Sequence, residues 1–305
     1  TYVDCKSDAN EAVPAFQKLM TDHAEMLTVL ASTSRISTLV VPEAEEAQVP
    51  VIAEATSAPG ITDDRPWAFR MHSTSAQEAQ AMAQYWLDST DIRKVAFFYI
   101  NDAMGQGAHE TFLATFTGGD AQVVWDGSYE QTDTDCSAKI AEALAANPDA
   151  CYVMGFIDTT VELIKQLHTA FGETPLPVGS NLGMATPAFI AEGGDAYEGI
   201  YFTALPFMFE KDVQGTRAFA FAEKYRDKYN REPDIYAGLA YDTMGMIAQA
   251  LNGTSMTRDA FRQAFGAIED YQGVMGPLSF DDNREIMLTV SVAQLHDGVL
   301  EPVEE

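Results

Sequence analysis

The chain has 305 residues, 47% of them hydrophobic, and carries 46 acidic against 18 basic side chains for a net charge of −28. That field repels nucleic-acid phosphates and anionic lipid, so nucleic acid is excluded as a partner. The acids are spread over nearly every helix and loop, which fits a solvated surface in an extracytoplasmic setting better than a metal site. No run approaches the ~20 apolar residues of a membrane helix. No signal peptide is visible. The chain opens inside what reads as a strand, Tyr2-Val3-Asp4, so any targeting segment is expected upstream.

Strand and helix alternate from the start. Val3-Asp4-Cys5 predicts a strand, and Ser7 or Asp8 caps a helix over about 10–21 with Val13, Phe16, Leu19 and Met20 on one face. Strand 26–30 ends at Ala31-Ser32-Thr33-Ser34, where a helix begins at once, and Pro42 is expected to kink or restart that helix. Strand 49–53 runs into the small, hydroxyl-rich loop Ala55-Thr56-Ser57-Ala58-Pro59-Gly60. A short run over 67–71 and a helix over 75–89 follow. Lys94 to Ile100 is continuously apolar apart from its first residue, the signature of a parallel strand buried on both faces. It feeds Asn101-Asp102-Ala103-Met104-Gly105-Gln106-Gly107 and a helix to about Phe116. Further strands are expected at 122–126, 150–154, 176–179 and 199–204, with helices near 135–146, 158–171 and 186–192. Three helices then come in succession, about 213–229, 234–252 and 257–268. The tail from Gly276 to Val303 is β in pattern, with Ile286 to Leu295 as one strand. Crossings near 90–93, 205–209 and 277–281 suit a chain passing more than once between two α/β domains, the arrangement of a hinge.

The three cysteines, Cys5, Cys136 and Cys151, are expected to be buried thiols. Cys136 falls early in a helix and Cys151 opens the strand after it, too far apart for a disulfide. The five histidines are isolated, and no metal-ligand spacing occurs. Gly105-Gln106-Gly107 lacks the third glycine of a dinucleotide fingerprint and is better read as a turn into a helix. Asp133 and Asp135 fit helix capping better than a calcium loop. No nucleophile elbow or P-loop is present, and neither cofactor nor metal is expected.

What remains is the ring of loops at the carboxyl ends of the strands, where open α/β sheets bind ligands. The first series offers Ser32, Thr33, Ser34, Ala55, Thr56 and Ser57. Hydroxyls and free amides beside a helix start can hold a carboxylate without an arginine; ordinary helix capping is the competing reading. The second series offers Asp102 or Asp158 for an ammonium group, or as plain helix caps. Met104, Phe156, Phe207 and Phe209 are candidates for apolar walls or for core. Asn181 and Met184 complete that set. Tyr236 starts a helix and either packs in the core or turns its hydroxyl toward the ligand.

These stretches, in their order and spacing, resemble the extracytoplasmic solute-binding proteins of branched-chain amino acid ABC transporters, the type I periplasmic binding fold. The residues that carry the likeness are Asp4-Cys5-Lys6-Ser7-Asp8, Ala31 to Ser34, Pro50-Val51-Ile52 through Pro59, Phe69-Arg70 and Asn101 to Gly107. Further on they are Asn147 to Ala150, Tyr197-Glu198-Gly199, Tyr236 with Tyr241-Asp242, and Gly276 to Asp281. The resemblance implies an α/β chain of two Rossmann-like lobes with parallel sheets, here without the family's first strand and helix. Lobe 1 is expected over 1–91 plus 207–277, and lobe 2 over 92–206 plus 278–305. It implies two lobes that close on a small ligand, delivery to an ABC permease, a periplasmic location and a monomer. By position, Ser32, Ala55 and Ser57 are implied to hold the ligand carboxylate. Met104 stands where the family often has tyrosine. Asn181 stands where amino-acid binders can place an ammonium-binding glutamate, which points toward a carboxylate without an amine, aromatic ones included. The expected function is solute binding for an ABC importer. A ligand-sensing module of the same fold is the alternative, and an enzyme lacks a compelling acid–base pair.

Overall fold

The computed structural model describes residues 1–156, 158–172 and 174–303. Ile157, Glu173, Glu304 and Glu305, which the expected second lobe includes, lie outside the described residues. The chain runs α1 Ala9–Asp22, β1 Val29–Ala31, α2 Ser34–Glu46, β2 Val51–Ala53, β3 Ala68–Arg70, α3 Ser75–Ser89, β4 Lys94–Ile100 and α4 Ala103–Phe116. It continues β5 Gln122–Tyr129, α5 Ser137–Ala145, β6 Ala150–Met154, α6 Asp158–Phe171, β7 Val178–Ser180, α7 Pro187–Gly193, β8 Tyr201–Ala204 and α8 Phe207–Glu210. It closes with α9 Arg217–Tyr229, α10 Ile235–Leu251, α11 Arg258–Gly266, β9 Tyr271–Gln272, β10 Pro277–Leu278, β11 Ser291–His296 and β12 Val299–Pro302. Two compact units result, Thr1–Thr74 with Lys211–Leu288, and Ser75–Glu210 with Thr289–Glu305.

The first unit holds the parallel sheet β1-β2-β3. Its register pairs Ala31 with Ala53 and Ala53 with Arg70, so the three strands end level. That alignment puts Ser32, Glu54 and Met71 side by side in sequence terms, one step beyond each strand. The central strand is buried at every residue, as an apolar run between two parallel neighbours requires. Ile36, Val40, Val41 and Ala44 on one face of α2 pack with Ala12 and Phe16 of α1 in the core of this unit. A tail segment extends the sheet: Arg70 N donates to Arg284 O and Ile286 N to Arg70 O.

The second unit holds a seven-stranded sheet in the order β12-β11-β8-β7-β6-β4-β5. The pairings from β8 to β5 are parallel, and β11 and β12 add antiparallel at the edge. Its core is aromatic. Trp86 on α3 meets Phe112 on α4 edge-on at 6.0 Å and Tyr152 on β6 at 5.8 Å, and Phe97 on β4 stacks on Tyr152 at 4.9 Å. Each such ring removes a large apolar area from water.

Several expectations need correcting. Val3-Asp4-Cys5 belongs to no strand among the described residues, because no neighbouring backbone pairs with it. Pro42 does not restart α2, which runs unbroken past it. Ile286 to Leu295 is not one strand: Ile286 bridges to Phe280 in the first unit, and β11 starts only at Ser291 in the second. Cys136 precedes α5 as its cap residue instead of lying within a helix. Cys5 is half-buried rather than buried, and all three thiols are free. Burial pushes the Cys151 thiol up to about 12 and raises Cys136 as well, which favours the neutral thiol in both.

Candidate functional site

In the first unit the polar strand ends form one braced edge. Ser34, the first residue of α2, accepts hydrogen bonds at its Oγ from the amides of Ser57 (3.2 Å) and Ala58 (3.1 Å). The amide of Ser57, expected to be uncovered, is therefore engaged. A hydroxyl that accepts twice still owns one hydrogen, and the two incoming donors turn that hydrogen away from the loop. Behind it, Ser37 Oγ donates to Ala31 O (3.2 Å) and lies 2.7 Å from Thr56 Oγ1. Thr56 is fully buried, so its hydroxyl serves the interior. Thr33 caps α2 at φ 68°, a strained conformation for a β-branched residue, and its buried Oγ1 has no partner among the described residues. Ser32 is exposed and Ala55 half-buried.

The loop is held from below by Arg70, whose side chain has no exposed surface. Its guanidinium donates to the carbonyls of Thr56 (3.4 Å) and Ala58, and through Nε (3.2 Å) and Nη2 to Glu285 Oε1. Thr62 Oγ1 donates to the same carboxylate oxygen at 2.8 Å. Burial pulls the Arg70 pKa down and Glu285 opposes that pull; an arginine keeps its charge in either case. Beyond β3, the buried His72 is held neutral, its pKa lowered to about 4 chiefly by burial. Its neutral ring is consistent with Nδ1–H donating to Ser73 O at 2.7 Å. Tyr236 is half-buried and stacks on His72 with ring centres 6.0 Å apart.

Glu54 stands one residue past β2, with its amide bonded to Ala31 O at 3.1 Å. Burial first, and the neighbouring Asp234 second, push its carboxyl up to about 7. Two buried acids have hydrogen-bond donors, although burial still raises the Asp242 carboxyl. Asp242 takes the amides of Val274 and Met275, both at 2.9 Å, and Glu78 takes Leu182 N and Thr203 Oγ1.

The second unit presents a separate set. Asp102 caps α4 by accepting from Gly105 N at 3.0 Å. Met104 is buried, with its carbonyl bonded to Ser75 Oγ at 2.7 Å. Asn181 is buried at the end of β7, and its Oδ1 accepts from Gly155 N at 3.2 Å just past the end of β6. Phe156 is half-buried and meets Phe189 edge-on at 5.8 Å. Phe207 is buried at the start of α8. Asp158 is exposed, while Met184 is fully buried. The predicted residues thus fall into two groups. Ser32, Thr33, Ser34, Ala55, Thr56 and Ser57 are drawn together on one edge, and Tyr236 stacks nearby on His72. Asn181 and Phe156 flank the ends of β6 and β7. Sequence reading missed Glu54 and the role of Arg70, although an acid and an arginine directly at the ends of apolar strands are a visible signal. Among the described residues no cluster of His, Cys, Asp and Glu could hold a metal ion.

Removing one partner of a buried ion pair leaves an uncompensated charge and costs ~3–5 kcal/mol. Arg70→Met is expected to lose about that much in denaturant unfolding, and Arg70→Met with Glu285→Leu to regain most of it. Equal losses in the two variants would contradict the clamp. Glu54 has a folded pKa near 7 against an ordinary 4.5, so the native state binds more protons between those values. Stability therefore falls as pH rises from 4.5 through 7, by ~3 kcal/mol at ~1.4 kcal/mol per pKa unit. Glu54→Gln is expected to match the parent near pH 4 and to be more stable at pH 8. A difference that does not change with pH would contradict the assignment.

Comparison with known proteins agrees with this architecture. The sequence profile of a family described as periplasmic binding protein matches residues 1–298. Leu/Ile/Val-binding protein homolog 3 of Brucella melitensis biotype 1 is 26% identical over 288 residues, covering 93% of this chain and 76% of that protein. The crystal structure of the leucine binding protein LivK from Thermotoga maritima superposes with a TM-score of 0.89 at 25% identity, covering 99% of this chain and 85% of that one. A solute binding protein of an ABC transporter from R. palustris, solved in complex with benzoate, gives 0.87 at 20% identity, covering 99% and 83%, and shares the fold. With a match over nearly its whole length, this chain belongs to the periplasmic binding protein family.

Proposed function

We propose that the protein binds a small carboxylate, either a branched-chain amino acid or an aromatic acid, and delivers it to an ABC permease from the periplasm. The observation that carries this reading is the Ser34 hydroxyl, which accepts two loop amides and has its hydrogen left to give. With Ser32 two residues before it and Ser57 the residue whose amide it accepts, we read the three hydroxyls as a seat of neutral donors for one carboxylate. Arg70 cannot neutralise the ligand, because its donors are spent on Thr56, Ala58 and Glu285. The seat therefore suits an anion held by hydrogen bonds to hydroxyls, each ~1.5–3 kcal/mol when one partner is charged. In the second unit, Phe156, Met104 and Asn181 are read as ligand-facing groups, with Asp102 and Phe207 in support. Asn181 offers no negative charge to an ammonium group, which favours an acid without an amine. The names of the Thermotoga maritima and R. palustris proteins supply the two probes, leucine and benzoate.

A ligand that binds only the folded state raises its melting temperature by mass action, with ~2.7 kcal/mol of added stability at one hundred times Kd. Benzoate or L-leucine is expected to raise the melting temperature in a concentration-dependent way. Ser57→Ala is expected to weaken that binding by about 10–100-fold, the loss of one charge-assisted hydrogen bond. A panel of amino acids and aromatic acids that leaves the melting temperature unmoved would overturn the reading.

A further inference from the structure

The second unit contains an acid that the binding reading does not use. Glu78 lies in the first turn of α3 and is 2% exposed. One of its oxygens, Oε2, accepts from Leu182 N at 3.0 Å and from Thr203 Oγ1 at 2.9 Å. These partners are 104 and 125 residues away in sequence. Thr203 is buried on β8, and Leu182 opens the 3-10 turn that follows β7. The first amides of such a turn have no acceptor inside it, so the Glu78 carboxylate supplies one. Both donors thus converge on one carboxyl oxygen of the first turn of α3.

The residue before Leu182 is Asn181, whose side chain holds Gly155 N at the end of β6. Gly155 has no room for a side chain: a Cβ there would lie 1.9 Å from the Tyr129 hydroxyl and 2.3 Å from Thr160 Oγ1. Phe156 follows at once. A chain of contacts therefore runs from α3 through Leu182 and Asn181 to the end of β6. We infer that Glu78 is a positioning residue for the ligand-facing edge of the second unit: by fixing Leu182 it fixes Asn181, and through Gly155 it sets where Phe156 stands. This rests on the reading that Asn181 and Phe156 meet the ligand. It assigns to a buried acid on α3 the task of holding that edge in the receptive arrangement before any ligand arrives.

The test compares Glu78→Leu with Glu78→Gln, which keeps one acceptor oxygen. Hydrogen exchange of the ligand-free protein, read by mass spectrometry, reports on residues 181–186, and titration with benzoate or L-leucine reports affinity. Glu78→Leu is expected to speed exchange in 181–186 and to weaken binding about tenfold or more, at a temperature where the variant remains folded. Glu78→Gln is expected to restore affinity to within about threefold. Unchanged exchange in Glu78→Leu overturns the inference, and so does faster exchange with unaltered affinity. Should Glu78→Leu fail to fold, Glu78→Gln carries the test, with exchange in 181–186 expected to be modestly faster and unchanged exchange overturning it. If the parent binds neither probe, the functional reading fails, and exchange alone decides whether Glu78 holds the edge.

Discussion

Arg70 has no exposed surface, yet it carries a full charge beneath a loop of small residues. Its guanidinium joins three separate parts of the first unit: β3, to which it belongs, the loop at Thr56 and Ala58, and the tail through Glu285. A buried ion pair rarely adds net stability, because desolvation offsets the attraction. What it gives here is geometry. The two carbonyls bound to Arg70 face inward, and the amides of Ser57 and Ala58 turn to Ser34 Oγ. The polar edge at the strand ends is thus a consequence of one cation placed below it, and the hydroxyls above it owe their arrangement to that placement.

The electrostatics of this edge follow from what the loop does with its charges. In a chain of net charge −28 an anionic ligand is repelled at long range. Screening at physiological salt confines that repulsion to about 8 Å. Capture then depends on short, directed donors, and hydroxyls supply them without the cost of burying a second cation. Glu54 is the exception that sharpens the point. Asp242 and Glu78 accept amides and a hydroxyl, though burial still raises the Asp242 carboxyl, while burial and the neighbouring acid Asp234 push Glu54 up to about 7.

Much of the fold was legible because it rests on local pattern. The apolar run over 94–100 announced a strand buried on both faces, and the helical face of α1 was visible in its spacing. The hydroxyl-rich loops after β1 and β2 stood out for the same reason. Errors came where long-range pairing decides. Val3 to Cys5 has strand composition but no partner strand, and Ile286 to Leu295 is β in character but divided between two units. Pro42 was expected to kink or restart its helix, and it does not restart α2, whose inner face, Val40, Val41 and Ala44, is held by the core. The bracing at the candidate site was hidden because its bonds join residues far apart, such as Arg70 with Glu285 and Glu78 with Thr203.

The central claim is that the edge built by Ser32, Ser34 and Ser57 over Arg70 receives the ligand carboxylate. Backbone amide resonances followed during titration with benzoate and L-leucine test it most directly. The account predicts that saturating ligand moves the amide signals of residues 32–34 and 55–58, with Ser57 and Ala58 responding as the Ser34 hydroxyl takes up its new bond. Saturable binding that leaves all of these signals in place would contradict it.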